Sequence, residues 1–296
     1  MTLLGAVELG GTKIRMARGT IDEGLVETET FATGSPEDAV AKMIGYFRAG
    51  PRIGALGIGS FGPIGLRPAN ADYGRFKNTP KTGWSGFDLI QALAALETPT
   101  RLETDVAAAA LGEHRLGALR GIGHGLYLTI GTGIGGALLI DSEVINGAAH
   151  AEMGHLPLQR AAGDQAISVC PYHSSCAEGL ASGPAVMRRF GRTLSDAGTS
   201  TQDIRLIGGY LGQLAASLVL TLAPERIVMG GGVAKAPMLL PVVQEQMLAS
   251  LNAYGQYPAL SRPDFLTRPE LGDDAGLLGA IQLASAATTG DRQSRS

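Results

Sequence analysis

The chain has 296 residues, of which 45% are hydrophobic and 17% charged, and its formal net charge is −3. This length buries a substantial core and suits two modest domains better than one. The slightly acidic balance and the scattered basic residues argue against a nucleic-acid partner, because a phosphate backbone selects clustered Lys and Arg. No apolar segment reaches the uninterrupted length that a membrane span needs, so we expect no membrane partner.

The first elements predict a hairpin around a glycine turn. Residues 5–9 form an apolar run typical of a buried strand, and Gly10, Gly11 and Thr12 form a tight turn. Residues 13–17 then alternate in polarity, which predicts a second strand with Ile14 and Met16 pointing inward. Two adjacent strands joined by so short a turn make a hairpin.

A helix is predicted at 36–47, because Ser35 is a typical N-cap residue and Asp38 follows it three residues later. The rest of this half is predicted as a buried strand at 53–58, a loop-rich region at 59–86, a short strand at 100–103 and an alanine-rich helix at 106–116.

The strand, turn, strand pattern returns in the second half, which indicates an internal duplication. Residues 126–130 and 137–140 are the predicted strands, and a glycine-rich turn at 131–136 joins them. The remaining predicted elements are helices at 177–190, 203–222, 237–251 and 274–286, and a strand at 226–229. Strands interleaved with helices place the chain in the α/β class.

The glycine turns allow three interpretations: a dinucleotide-binding fingerprint, a P-loop, or a phosphate clamp made by two hairpins. The first two need a helix directly after the glycines, whereas both turns here lead into strands, and Lys13 lacks the P-loop spacing. Two facing turns would offer backbone N–H groups and the hydroxyls of Thr12 and Thr132 to a polyphosphate. Either turn alone is more simply an ordinary hairpin turn. The residues that predict nucleotide binding are Gly10, Gly11, Thr12, Lys13, Gly131, Thr132, Gly133, Gly135, Gly230, Gly231 and Gly232.

Both cysteines of the chain, Cys170 and Cys176, lie in one short segment, with His173 between them and His155 upstream. Thiolate and imidazole ligands at this spacing favour a tetrahedral zinc site. The alternative is two buried thiols with surface histidines. Four protein ligands leave no open coordination position, so we expect this zinc to be structural.

Two features bear on the cellular compartment. Two cysteines give no disulfide framework, and the N-terminal stretch has no basic leader, so we expect a cytoplasmic protein. The last residues, 287–296, are small, polar and aperiodic, which predicts a frayed tail.

These motifs together resemble the ROK family of bacterial sugar kinases. The resemblance is carried by the segments at 8–13, 131–135, 152–155 and 230–232 and by the Cys/His cluster, and the segments at 78–81, 170–173 and 178–183 resemble its fructokinase branch. It implies an actin-like, hexokinase-type fold of two ribonuclease-H-like domains flanking a cleft in which ATP and sugar meet. It also implies a homodimer, the zinc, and ATP-dependent phosphorylation of D-fructose at its 6-hydroxyl. We place the domains at 1–116, with the helix at 274–286 packing back, and at 117–273.

The resemblance also implies roles for individual residues. Asp105 matches the general base, which accepts the proton of the attacking sugar hydroxyl. From its sequence position alone, Asp105 is more simply a helix cap than a base. Glu8 stands where many family members carry an aspartate near Mg2+, and it lies mid-strand, where a carboxylate needs a polar partner.

Sugar binding is assigned to the positions that match the family's sugar-contacting residues. Carboxylates suit a polyol because each accepts two hydroxyl hydrogen bonds, although solvated loop carboxylates are the simpler alternative. His155 would ligate zinc through one ring nitrogen and meet the sugar with the other. The substrate-binding candidates are Asn78, Lys81, Asp105, Glu152, His155 and Glu178. Asn78 and Lys81 would reach either the sugar or the transferring phosphate, and a solvated loop lysine is the alternative for Lys81.

Departures from the family pattern leave the hexose open. Ala107 replaces a common asparagine and Ala151 a common proline, so a mannokinase or a glucokinase remains an alternative. A sugar-responsive regulator is the alternative from another class, but its repressor form carries an N-terminal helix-turn-helix, and the first strand here begins close to Met1. His150 and Tyr73 receive no role.

Overall fold

The computed structural model describes residues 2–255 and 257–288. It divides into two compact units: unit 1 comprises Met1–Leu116, Asn146–His150 and Asp273–Ser296, and unit 2 comprises Gly117–Ile145 and Ala151–Gly272. The predicted frayed tail, 287–296, lies outside the described residues except for Ala287 and Thr288, which end the last helix.

The strands, in chain order, are β1 (Leu4–Leu9), β2 (Lys13–Thr20), β3 (Gly24–Ala32), β4 (Ala55–Ser60), β5 (Thr100–Thr104), β6 (His124–Ile130), β7 (Ile134–Ile140), β8 (Glu143–Val144), β9 (Arg226–Gly230) and β10 (Leu266–Thr267). The α-helices are α1 (Pro36–Ala49), α2 (Leu89–Leu93), α3 (Asp105–Leu116), α4 (Ala177–Ala181), α5 (Gly183–Phe190), α6 (Thr201–Leu222), α7 (Leu239–Leu251) and α8 (Ala275–Thr288).

Each unit contains one five-stranded sheet, and the two sheets have the same topology. Unit 1 has the order β3-β2-β1-β4-β5, and unit 2 has the order β8-β7-β6-β9-β10. In each sheet the three strands that come first in sequence, β1 to β3 or β6 to β8, pair antiparallel. The fourth strand, β4 or β9, then pairs parallel with the other edge of the first, and the fifth, β5 or β10, pairs parallel with the fourth. This is the repeat that the two glycine hairpins predicted.

Helices with small residues cover the sheet of unit 1. In α8, a Cβ on Gly279 would overlap the Ala108 carbonyl of α3, and a Cβ on Gly57 of β4 would overlap the Ala280 carbonyl. Glycine at these positions therefore allows helix and strand backbones to touch. The alanine-rich helix α3 therefore packs closely against α8. Ile14 and Met16 are both fully buried, as predicted.

In unit 2, α6 packs against α7 through glycines. Cβ atoms on Gly208 and Gly212 would lie 2.6 Å from Val242 Cγ1 and Gln246 Cβ of α7. By length and composition α6 could cross a membrane, contrary to the sequence expectation that no segment would. However, 61% of its apolar window is buried inside the protein, as in the core helix of a folded domain.

Several elements differ from the sequence prediction. The helix expected at 177–190 is two helices, because Ser182, between them, is extended, with φ −68° and ψ 168°. The strands β3, β8 and β10 and the short helix α2 were not predicted. Most of β3 is exposed, so its side chains lack the apolar alternation that marks a half-buried strand.

Candidate active site

The first glycine turn, between β1 and β2 in unit 1, is held by main-chain and side-chain hydrogen bonds. Gly10 N–H donates to the Lys13 carbonyl at 3.0 Å, and the Thr33 hydroxyl donates to the Gly10 carbonyl at 2.6 Å. Gly11 and Thr12 are exposed, and a Cβ on Gly11 would meet nothing within 4 Å. The turn therefore has a fixed backbone and an open outer face, as a phosphate-binding turn needs.

A lysine from a distant loop reaches this turn. Lys81 Nζ donates to the Gly11 carbonyl at 2.6 Å. The loop that carries it is anchored by the ring of Trp84, which is fully buried and packs 5.2 Å from that of Phe61 and 5.0 Å from that of Phe76. Of the two candidates in this loop, Lys81 thus lies at the predicted phosphate turn, and Asn78 lies exposed on the loop surface.

Glu8, in β1, has the polar partner that a mid-strand carboxylate needs. Arg15 Nη1 lies 3.4 Å from Glu8 Oε2, and the same guanidinium binds Asp274, the residue before α8. Burial raises the pKa of the Glu8 carboxyl, and the charge of Arg15 opposes that rise. Because Arg15 engages Oε2, a magnesium ion would be reached through the other oxygen or through water.

Asp105 is the first residue of α3 and directly follows β5. The hydroxyl of Thr104 accepts the N–H of Ala107 at 3.1 Å, so Thr104 supplies a capping bond of the kind considered for Asp105. Asp105 Oδ1 accepts the N–H of Val106 at 2.8 Å. A Cβ on Gly59 would lie 3.3 Å from Asp105 Cα, so the carboxylate is positioned where β4 and β5 end. The positive end of the helix dipole favours a carboxylate there.

In unit 2 the second and third glycine clusters lie together. Gly131 N–H donates to the Gly133 carbonyl at 2.8 Å, and Gly183 N–H, at the start of α5, donates to the Gly131 carbonyl at 2.7 Å. Gly231 has φ +88°, and a Cβ on it would overlap the Ile130 carbonyl at the end of β6. A side chain at position 231 would thus separate the two clusters.

Two of the predicted sugar-binding residues of unit 2 are neighbours. Glu178 Oε2 accepts the N–H of Ile134 at 3.0 Å, and Glu178 Oε1 lies 3.9 Å from His155 Nε2. Glu152 is exposed and immediately precedes the short 3-10 helix Met153–His155, whose Gly154 packs on the Ile134 carbonyl. The segment 152–155 and Glu178 are therefore both fixed against the start of β7.

The four predicted zinc ligands form one cluster. Cys170 Sγ lies 3.6 Å from His173 Nδ1 and 3.8 Å from His155 Nδ1, and Cys176 Sγ lies 3.7 Å from His155 Nδ1. Zinc bonds of about 2.3 Å to sulfur and about 2.0 Å to nitrogen, at the tetrahedral angle, separate such atoms by about 3.5 Å. The donor set and its spacing therefore fit a zinc ion.

Without a metal ion the thiol of Cys176 stays protonated. Burial raises the pKa of the Cys176 thiol to about 11, and the neighbouring Cys170 adds to the rise. Gly179 N–H donates to Cys176 Sγ at 3.4 Å, which alone does not offset the burial. A divalent cation would hold both thiols as thiolates.

His155 connects the Cys/His cluster to Glu178. Its Nδ1 faces the two sulfur atoms and its Nε2 faces the Glu178 carboxylate. If Nδ1 ligates a metal, Nε2 carries the proton and points toward the predicted sugar-binding carboxylate. The two-sided role expected of His155 is compatible with this orientation.

Sequence reasoning missed several residues that shape the site. Thr104, Gly183 and Gly62 were given no role, although Ser182-Gly183-Pro184 carries the sequence signal of a helix start. Thr104 and Gly62 have no such signal, because their contacts form only when the chain is folded.

Comparisons with known proteins show the family of this chain. The sequence model of the ROK family matches residues 4–287. The chain belongs to the ROK family. It is 38% identical over 286 residues to a fructokinase from Pediococcus pentosaceus, covering 96% of this chain and 98% of that protein.

Two solved structures of ROK proteins are similar over nearly the whole chain. The ROK hexokinase of Thermus thermophilus has 29% identity and a TM-score of 0.77, with 97% of this chain and 99% of that chain covered. A ROK family glucokinase from Streptomyces griseus, in complex with glucose and AMPPNP, has 25% identity and a TM-score of 0.78, with 96% and 99% covered. The predicted actin-like fold of two ribonuclease-H-like domains is confirmed.

Proposed function

We propose that this protein is an ATP-dependent fructokinase, which transfers the γ-phosphoryl group of ATP to the 6-hydroxyl of D-fructose. The products are fructose 6-phosphate and ADP. The observation that carries the proposal is the 38% identity to a fructokinase over almost the full length of both proteins. The glucokinase of known structure is more distant, at 25% identity.

Asp105 acts as the general base. Its carboxylate accepts the proton of the 6-hydroxyl while that oxygen bonds to the γ-phosphorus and the bond from phosphorus to the β–γ bridging oxygen breaks. Its position at the end of β5 supports this role, because ligands of α/β proteins bind at the carboxyl ends of parallel strands.

The glycine clusters bind the nucleotide. Backbone N–H groups of the two hairpin turns, with the hydroxyls of Thr12 and Thr132, bind the phosphates, and Lys81 adds a positive charge at the first turn. The third cluster, Gly230 to Gly232, leaves room for the adenosine. Magnesium would neutralise charge on the phosphates, and Glu8 is the carboxylate proposed to hold it directly or through water.

The sugar is bound by residues whose oxygens and nitrogens match a polyol. Glu152 and Glu178 accept hydrogen bonds from hydroxyls, and His155 Nε2–H donates one. Asn78 offers both a donor and an acceptor from the 78–81 loop. The contact between Glu178 and the Ile134 N–H supports the assignment, because it fixes the orientation of the carboxylate before sugar binds.

Zinc has a structural role in the proposal. His155, Cys170, His173 and Cys176 would hold it, and it would fix the loop that carries His155 without contacting phosphate. We further propose a homodimer, from the family resemblance, in the cytoplasm. Neither Cys170 nor Cys176 forms a disulfide, which suits a reducing compartment.

The proposal is tested by assaying ADP release from MgATP with D-fructose, D-mannose and D-glucose separately. Fructose should give the highest kcat/KM, and Asp105→Asn should lower kcat by about 10²- to 10⁴-fold with little change in melting temperature. Asp22→Asn is the matched control, since Asp22 is an exposed carboxylate in the turn after β2 of the same unit. Absence of hexose-dependent ADP release would overturn the function, and an Asp105→Asn variant as active as wild type would overturn the base.

A further inference from the structure

Residues 146–150 make a short excursion from unit 2 into unit 1. Ile145 ends one segment of unit 2 and Ala151 begins the next, whereas Asn146–His150 packs with unit 1. Within it, Gly147 N–H donates to the Ala149 carbonyl at 3.1 Å, which turns the chain back tightly. The excursion ends two residues before the proposed sugar ligand Glu152.

The first anchor of the excursion is Asn146. Its Nδ2 donates to both carboxylate oxygens of Glu103, at 3.3 Å to Oε1 and 3.0 Å to Oε2. Glu103 lies on β5, two residues before Asp105. The excursion is thus tied to the strand that delivers the proposed general base.

The second anchor is His150, whose imidazole packs on the backbone of Gly62. A Cβ built on Gly62 would lie 3.0 Å from His150 Nε2 and 3.1 Å from Cε1. Gly62 is not among the glycines with positive φ, so its backbone conformation does not demand glycine. The glycine is explained by the close approach of the imidazole.

Gly62 lies at the edge of the sheet where acceptor chemistry is proposed. It follows the carboxyl end of β4, and Gly59 at that end touches the backbone of Asp105. The Thr79 hydroxyl, from the loop that holds Asn78 and Lys81, donates to the Gly62 carbonyl at 3.5 Å. His150 is partly exposed. It therefore lies beside the end of β4 and the loop of Asn78, which are proposed to bind the acceptor sugar.

We propose that His150 donates or accepts a hydrogen bond with a hydroxyl of the acceptor hexose and thereby sets which hexose is preferred. The inference rests on the proposed kinase function and deepens it. An imidazole carries a donor and an acceptor in one rigid ring, which matches a hydroxyl better than a phosphate. Because hexoses differ in the direction of individual hydroxyls, a single fixed partner discriminates among them.

The test compares His150→Asn with the wild-type enzyme for fructose, mannose, glucose and ATP. We expect KM for fructose to rise about tenfold and the ratio of kcat/KM between fructose and glucose to shift by about the same factor, with KM for ATP unchanged. His114→Asn is the matched control, since His114 lies in the last turn of α3 in the same unit. It should behave as wild type in every assay.

A second variant guards against loss of folding. Gly62→Ala keeps the imidazole but places a methyl group 3.0 Å from His150 Nε2, so it should displace the ring and raise KM for fructose in the same direction. An unchanged fructose KM and an unchanged hexose ratio in a folded His150→Asn variant would overturn the inference, as would a change confined to ATP. Failure of the wild-type enzyme with every hexose would instead overturn the proposed function, and this inference with it.

Discussion

Lys81 Nζ donates a hydrogen bond to the main-chain carbonyl of Gly11, 70 residues earlier in the chain, at a distance of 2.6 Å. The contact puts a positive charge beside the exposed turn between β1 and β2. Backbone N–H groups and an ammonium in one place attract phosphate more strongly than either does alone. The lysine thus distinguishes this turn from an ordinary hairpin turn.

Replacing this lysine should weaken ATP binding specifically. We expect Lys81→Met to raise KM for ATP and lower kcat, each by about tenfold, because a charge-assisted contact to phosphate is lost, while KM for fructose changes little. Steady-state kinetics with each substrate varied provides the measurement. Lys77→Met is the control, since Lys77 lies in the same loop but pairs with Asp72. If both variants lose ATP affinity equally, the effect belongs to general charge and not to the turn.

Glu178 is expected to bind sugar while its orientation is fixed by the protein. In Glu178→Gln the amide oxygen keeps the bond from Ile134 N–H, but the oxygen facing His155 becomes an NH2 group. The loss of one hydroxyl acceptor should raise KM for fructose by about tenfold and leave KM for ATP unchanged.

The control for Glu178 is Glu225, whose Oε1 accepts the N–H of His124 at 3.0 Å in the same unit. Glu225→Gln makes the same chemical change at a similar main-chain bond and should leave both KM values at the wild-type level. A Glu178→Gln variant with wild-type sugar affinity would remove Glu178 from the sugar site.

The metal cluster should affect sugar binding through His155 and not through phosphate. Cys176→Ser should abolish stoichiometric zinc and lower the melting temperature by about 5–10 °C, as a loss of about 3 kcal/mol does in a protein of this size. KM for fructose should rise, because the ring of His155 is no longer held, and KM for ATP should stay unchanged.

Metal content by mass spectrometry and thermal melting are the measurements for this variant. Ser174→Ala is its control, since Ser174 is exposed in the same loop and its side chain is not a metal ligand. Full zinc occupancy with unchanged melting in Cys176→Ser would refute the structural site.

The hairpins and the Cys/His cluster could be predicted because their signals are local. An apolar run before Gly10-Gly11-Thr12 and alternating polarity after it identify two strands. Cys170, His173 and Cys176 lie within seven residues of one another. β3 gave no such signal, because its exposed Glu and Thr side chains bury neither face fully. β3 forms because it pairs with the edge of β2, and this contact exists only in the folded protein.

The excursion at 146–150 was equally invisible in the sequence. Nothing near Asn146 marks Glu103 as its partner, and nothing near His150 marks Gly62. These contacts join residues that are far apart in the chain, and the segment has no regular structure whose periodicity would reveal a buried face.

The contact between Glu103 and Asn146 should make stability depend on pH. Burial raises the pKa of the Glu103 carboxyl to about 7, and the hydrogen bond from Asn146 and the charge of Arg101 oppose that rise only partly. The folded state therefore holds a proton that the unfolded state releases near pH 4.5. The stabilising contribution of this proton is fully present below that value and is lost as the pH rises through about 7.

Replacing Glu103 with glutamine should remove this dependence while keeping a carbonyl acceptor for Asn146. Relative to wild type, the unfolding free energy of Glu103→Gln should rise between pH 5 and pH 8 by at most about 3 kcal/mol, the equivalent of the raised pKa. Chemical denaturation at several pH values gives the difference. Glu29→Gln, at an exposed position on β3 of the same unit, should show a flat difference. A flat difference for Glu103→Gln as well would mean that the carboxyl already titrates in its ordinary range, and that Asn146 and the nearby charge outweigh its burial.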